Sequence, residues 1–124
     1  MNSKVFTVLR IILALILLVF GLNKFFHYLP QPDVSADAGA FFGALISTKT
    51  FMLIAIVEVL AGFAFLLNKY AALMAVILMS VSVNIILYHL SLDAENIGPG
   101  LILFILNIAM LYNYRDKYKE LLKA

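Results

Sequence analysis

Cysteine is absent from the chain, which excludes disulfides, thiolate metal sites, iron–sulfur clusters and dithiol relays within it. Charge is scarce: 13% of the 124 residues are charged, against 65% that are hydrophobic. A soluble domain of this length needs far more charge to cover its surface, so the bilayer is the expected solvent. A phosphate-binding glycine loop, a nucleophile elbow and a paired-carboxylate motif are all missing. No catalytic motif is thus recognisable, and any electron-transfer role would borrow a cofactor or a redox partner. The two histidines, without cysteine or clustered carboxylates, make a poor metal-ligand set.

What the chain does have is four long apolar stretches. The first, about residues 5–28, starts basic and could pass for a signal peptide. Gly21-Leu22-Asn23-Lys24 follows its apolar run instead of a small-residue cleavage site, so a retained span is expected. Pro30 and Pro32 are expected to end it, because neither offers the amide that a continuing helix needs. Further spans are expected at 51–67, 70–90 and 100–114, followed by a basic tail at 115–124. In the connection 30–50, Ser35 has the form of a helix N-cap with Asp37 in the first turn. Phe41, Phe42, Leu45 and Ile46 then fall at helical spacing, which predicts a short interfacial helix; an ordinary loop is the alternative.

The fold class expected is therefore an all-α integral membrane protein. It is one four-transmembrane-helix bundle over 1–124, with the interfacial helix between spans 1 and 2. Basic residues set its orientation. Lys4, Arg10, Lys69, Arg115, Lys117, Lys119 and Lys123 fall on one side, against Lys24 and Lys49 on the other. Positive charge is retained on the cytoplasmic side, so both termini are expected there. Tyr112, Tyr114 and Tyr118 suit that interface, and Tyr28 and Tyr88 the outer one.

Glu58 is the one ionisable side chain in the run Phe51 to Leu67. A charge at that depth is costly by an estimated few kcal/mol unless paired or protonated. Counting residues from the outer end places Glu58 roughly 10 Å down, with Asn84 and Asn107 about as deep and Lys24 and Asn23 shallower. Arg10 lies about 20 Å beyond Lys24 toward the cytoplasm on the same count. Lys24 is hence the expected partner of Glu58, with Asn84 or Asn107 adding amides, and Arg10 is the rival. Helical phase gives each span one small or polar stripe: Arg10, Ala14, Leu17, Gly21 and Lys24; Ala55, Glu58 and Gly62; Ser80, Asn84 and Leu87; Leu103, Asn107 and Met110.

Two readings of this cluster stand side by side. In one it is polar glue fixing helix register; in the other it lines an outward-facing pocket for a head group, a quinone carbonyl or a proton. His27 and His89 end spans 1 and 3 on the same side. That invites a bis-histidine haem, but a ligand-head or proton role suits interfacial histidines better. The basic tail reads as a topology determinant, so no nucleic-acid partner is expected.

With these residues in view, the chain resembles the DoxX-like family of small bacterial four-span membrane proteins. The likeness rests on Arg10 leading through an apolar run into Gly21-Leu22-Asn23-Lys24, on Val57-Glu58-Val59-Leu60-Ala61-Gly62, and on Asn84-Ile85-Ile86-Leu87-Tyr88-His89. The resemblance implies a bacterial cytoplasmic (inner) membrane location and a four-helix bundle. It also implies association with membrane redox complexes, among them a quinone-reducing thiosulfate oxidoreductase, and by analogy roles for Arg10, Lys24, Glu58, Asn84 and His89. The function expected is an accessory subunit of a redox or respiratory complex with a quinone-like or lipid-like pocket. The alternative is a non-catalytic interaction or assembly subunit. A transporter ranks third, since four spans are few without self-association. The partners expected are the lipid bilayer and other membrane subunits, with a homo-oligomer compatible. No intrinsic cofactor is expected beyond a quinone or lipid.

Overall fold

Among the described residues, 2–124 of this computed structural model, there are five α-helices, two short 3-10 turns and no strand. The helices are α1 (Ser3–Phe26), α2 (Ala36–Ser47), α3 (Thr50–Leu67), α4 (Ala71–Leu92) and α5 (Gly98–Asn113). The turns are Ala94–Asn96 and Arg115–Tyr118. By length and composition, α1, α3 and α4 are long and apolar enough to cross a membrane, while α2 and α5 are shorter apolar helices. At 16 residues, α5 is about 24 Å long, short of a hydrocarbon core of roughly 30 Å.

Local chemistry sets the helix ends. Asn2 Oδ1 accepts from the Lys4 amide at 2.8 Å and caps α1. The other end of α1 differs from the expectation. It stops at Phe26, ahead of both prolines, because His27 turns left-handed and its amide donates back to the Asn23 carbonyl. Asn23 Oδ1 accepts the Leu29 amide at 2.7 Å and folds the exit over the helix end. Residues 36–47 are helical, with Ser35 Oγ accepting from the Ala38 amide. α3 and α4 are joined by a turn in which Asn68 and Tyr70 both adopt positive φ, 53° and 57°. α5 opens on Gly98 and Pro99, where a missing amide costs the helix nothing.

The long helices pack antiparallel to their neighbours. Arg10 meets the end of α3 near Phe65, and Gly21 meets Glu58 further along. This α1–α3 interface is the most extensive, and it depends on missing side chains. A Cβ on Gly21 would sit 3.1 Å from Glu58 Cβ and 3.2 Å from the Val59 backbone nitrogen. A Cβ on Gly62 would sit 2.8 Å from Leu18. Small residues permit such approaches, and dispersion then holds the pair without any hydrophobic drive. α4 and α5 are pinned by Asn107, fully buried, whose Nδ2 donates to the Ala75 carbonyl at 3.0 Å and whose Oδ1 accepts from Ser82 Oγ at 2.7 Å. Phe6 on α1 meets Tyr114 after α5 edge to face at 5.3 Å.

The core is Leu13, Leu17, Phe65, Leu78, Leu103 and Met110, each nearly or fully buried. Leu15, Leu53, Leu60, Leu73 and Ile105 on the outward faces are more than half exposed. Lipid, not water, is the solvent suited to that surface.

Two glycine substitutions separate a tight contact from an open one. Gly21→Ala should lower thermal stability in detergent by about 1–3 kcal/mol through overpacking. At Gly39, an added Cβ meets nothing within 4 Å. Gly39→Ala should accordingly be neutral or stabilising, by about 0.5–1 kcal/mol of helix propensity. Equal melting temperatures for the two variants would show that α1 and α3 are not in close contact.

Candidate functional site

At the end of α3 and α4 away from their tight turn lies a cavity of about 820 Å³. Ile16, Phe20 and Lys24 of α1 border it, as do Phe51, Ile54 and Glu58 of α3. Asn84, Tyr88 and His89 of α4 and Gly100 and Leu103 of α5 complete the walls. α2 lies over the mouth, contributing Phe41, Phe42 and Leu45. It is clasped there by aromatic rings. Phe42 meets Phe51 of α3 at 6.2 Å and Tyr88 of α4 at 5.1 Å, and Phe41 stacks on Tyr88 at 5.5 Å. Tyr88 in turn packs on His89 at 4.9 Å.

Lys24 and Glu58 form an ion pair in this largely apolar wall, which also carries Ser80, Asn84, His89, Asp93 and Glu95. Their Nζ–Oε1 separation is 2.7 Å, and the Glu58 side chain is 3% exposed against 20% for Lys24. The ammonium also lies over the Phe51 ring, 5.7 Å from its centre. At 2.7 Å the ammonium donates a charge-assisted hydrogen bond to Oε1. The Tyr88 hydroxyl, also at the cavity, is buried without a hydrogen-bond partner.

The other residues nominated from sequence divide among different places. Asn84 borders the cavity, but its Nδ2 donates to the Ser80 carbonyl of its own helix at 2.7 Å instead of reaching Glu58. Asn107 is not at Glu58 either, being committed to Ser82 and Ala75 between α4 and α5. Arg10 sits at the opposite end, donating to the Phe65 and Leu66 carbonyls. There it satisfies acceptors that the end of α3 leaves open. Asn23 and His27 shape the exit of α1, and His27 is exposed and away from the cavity, whereas His89 borders it. The expected polar cluster is thus three separate layers.

The error has a definite source on α4. Its buried face is Ala71, Ala75, Leu78, Val81 and Ser82, not the stripe through Ser80, Asn84 and Leu87. Ser80 and Asn84 face the cavity instead. Ser82, two residues from both Ser80 and Asn84, lies on the opposite side of the helix from that stripe and is a further buried polar residue that the stripe leaves out. Two tyrosines assigned to interfaces also point inward. Tyr114 is buried, with its hydroxyl donating to Asn68 Oδ1 at 3.3 Å. Tyr88 joins the clasp under α2. Tyr118 donates to the Ala72 carbonyl at 2.6 Å. Burial, and then the nearby Tyr114, pushes its hydroxyl up to about 12, so it remains a donor at any physiological pH.

Among the described residues there is no group of three or more His, Asp or Glu able to hold a metal ion. The family model of DoxX matches residues 5–90, which takes in α1 to α3 and most of α4. No curated protein and no solved structure matches the chain.

The charge pair is testable by a double-mutant cycle. Glu58→Gln and Lys24→Met should each lose on the order of 3 kcal/mol in thermal unfolding, because each leaves a polar or charged partner uncompensated. The double variant should be less damaged than the sum by about 0.5–3 kcal/mol. Strict additivity would mean that the two side chains do not sense each other.

Proposed function

The chain belongs to the DoxX family, and we propose that it serves as an accessory membrane subunit of a redox or respiratory complex. Its cavity would hold the head of a quinone-like or lipid-like amphiphile. One observation carries this reading: a cavity of about 820 Å³ whose apolar and aromatic wall is interrupted by the Lys24–Glu58 pair. Ligand sites commonly take that form, an apolar enclosure of roughly 300–1,000 Å³ with a few convergent polar groups. The Lys24–Glu58 pair and the Tyr88 hydroxyl offer polar contacts to a head group bearing oxygen functions. Phe41, Phe42, Phe51 and Tyr88 suit a planar ring, which gains from offset or edge contacts. When bound, a quinone would supply the two-electron chemistry that the cysteine-free chain lacks. The chain's own part is to bind and orient it and to keep water from it.

In the same proposal α1, α3, α4 and α5 all cross the bacterial cytoplasmic membrane, with both termini inside and α2 at the outer surface. The seven-to-two division of basic residues supports that orientation. A second reading, a non-catalytic assembly subunit, draws support from Val34 and Ile46, apolar residues exposed around α2, 40% and 61%.

Because the chain has no cysteine, single reporters need no background removal. Cysteines at Ser35, Asn68 and Ala124 should give labelling by an impermeant reagent on intact cells at Ser35 alone. Labelling at Asn68 or Ala124 would overturn the orientation. Purification from native membranes in mild detergent tests the role. A co-purifying quinone or redox-active subunit is expected, and recovery only with a membrane complex lacking both would favour the assembly reading.

A further inference from the structure

The cavity is walled unevenly. Between α1 and α3 there is no gap, since a Cβ on Gly21 or Gly62 would meet the facing helix at 3.1 Å or 2.8 Å. α4 and α5 are as tight at Gly100, where a Cβ would stand 2.7 Å from Ile85 Cγ2. Deeper on α5, Leu103 is 4% exposed and closes the wall toward the core. Over the mouth, α2 lays Phe41 and Phe42 against Phe51 and Tyr88.

Between α3 and α4 the wall stays open. Along α3 the lining passes from Glu58, which is buried, to Leu53, which is 61% exposed on the outward face. Along α4 it passes from Val81, which is buried, to Ser80 and Asn84, which are exposed and lie away from that helix's buried face. The cavity therefore continues into a groove on the flank of the bundle, reaching the surface suited to lipid. The lining runs from Thr50 to Glu58 on α3 and from Ser80 to His89 on α4. That is about 12–14 Å of helix, close to the roughly 15 Å of hydrocarbon in one leaflet. The polar side chains on the rim are turned back on their own helix. Ser80 Oγ donates to the Ile77 carbonyl and Asn84 Nδ2 to the Ser80 carbonyl, both at 2.7 Å. Bonds of that kind lower the cost of setting a hydroxyl or an amide against hydrocarbon.

We propose that this groove is a lipid-side entrance, occupied by the hydrocarbon chain of an amphiphile from the leaflet on the α2 side. The head then lies under α2, among Lys24, Glu58 and His89, and the ligand exchanges with the membrane without passing through water. This rests on the reading of the cavity as the site of a quinone-like or lipid-like amphiphile. Leu53, Ile54, Val57, Val81 and Ile85 make up most of the groove and offer water nothing to bond. The groove also ends near mid-membrane, as a chain from one leaflet does and a spanning helix of a second copy does not.

The chain contains no tryptophan, so a single introduced tryptophan reports without background. The test places the full chain in phosphatidylcholine vesicles whose chains are either plain or brominated partway along, bromine quenching tryptophan only on close approach. Ile54→Trp reports from the inner wall and Asn84→Trp from the rim. Ile56→Trp, on the lipid face of α3, and Phe65→Trp, in the core, are the references. Both groove reporters should lose as much emission to brominated chains as Ile56→Trp does, while Phe65→Trp should lose almost none. In plain vesicles a decyl-substituted benzoquinone, itself a quencher, should dim Ile54→Trp more than Ile56→Trp at equal loading. Ile54→Trp silent to brominated chains yet dimmed by the benzoquinone would overturn the lipid-side entrance and leave the cavity reading standing. Silence to both would overturn both. Asn84 is exposed, so Asn84→Trp keeps the test decisive even if Ile54→Trp disturbs the fold. If Asn84→Trp is as silent to bromine as Phe65→Trp, protein such as a second copy covers the groove, and the entrance is overturned.

Discussion

A carboxylate buried inside an apolar helix bundle constrains the rest of the molecule. Glu58 is tolerable inside α3 only because a cation reaches it, and Lys24 reaches it only because α1 lies unusually close. Gly21, one turn before Lys24, makes that closeness possible by presenting hydrogen where any other residue would meet the Glu58 Cβ. The ion pair and the glycine contact are thus one feature. Neither the charge nor the packing explains the α1–α3 interface without the other.

The remaining polar side chains answer the same constraint at other depths. Asn107 and Ser82 satisfy each other and the Ala75 carbonyl in the middle of the bundle. Arg10 takes up carbonyls at the end of α3, close to the layer where Tyr114 meets Asn68 and Tyr118 meets Ala72. These two layers are internally paired and act as fasteners, although Arg10 Nε has no partner. The layer at the cavity differs, because Ser80, Asn84 and His89 border open space there and not a packed helix. That contrast distinguishes a site from a seam.

Legibility in the sequence followed the chemistry available to each helix. Small and polar residues on α1, α3 and α5 fell in stripes that coincide with the buried faces Arg10–Ala14–Leu17–Gly21, Ala55–Glu58–Gly62 and Leu103–Asn107–Met110. α4 misled because it is apolar all round and has two serines two positions apart. Periodicity in such a helix cannot separate a core face from a lipid face. Depth counting placed Asn84 and Asn107 level with Glu58, but depth says nothing of azimuth, and both amides found nearer carbonyls. The helical nature of 36–47 was readable from Ser35 and Asp37, whereas the end of α1 at His27 was not. A histidine carries no strong signal for left-handed backbone, and the downstream prolines drew attention away from it.

The turn at Asn68–Tyr70 also has a mechanical meaning. α1 is keyed to α3 by glycines and α4 to α5 by Asn107, so each pair behaves as a single stiff arm. The arms share the core of Leu13, Phe65, Leu78 and Met110, and toward the end away from that turn the rings of α2 bridge them. A 22-residue α4 makes a lever of about 33 Å, over which a tilt of about 5° displaces its tip by about 3 Å. That displacement is close to the thickness of an aromatic ring. A change of tilt between the arms would alter the width of the cavity most where α2 lies.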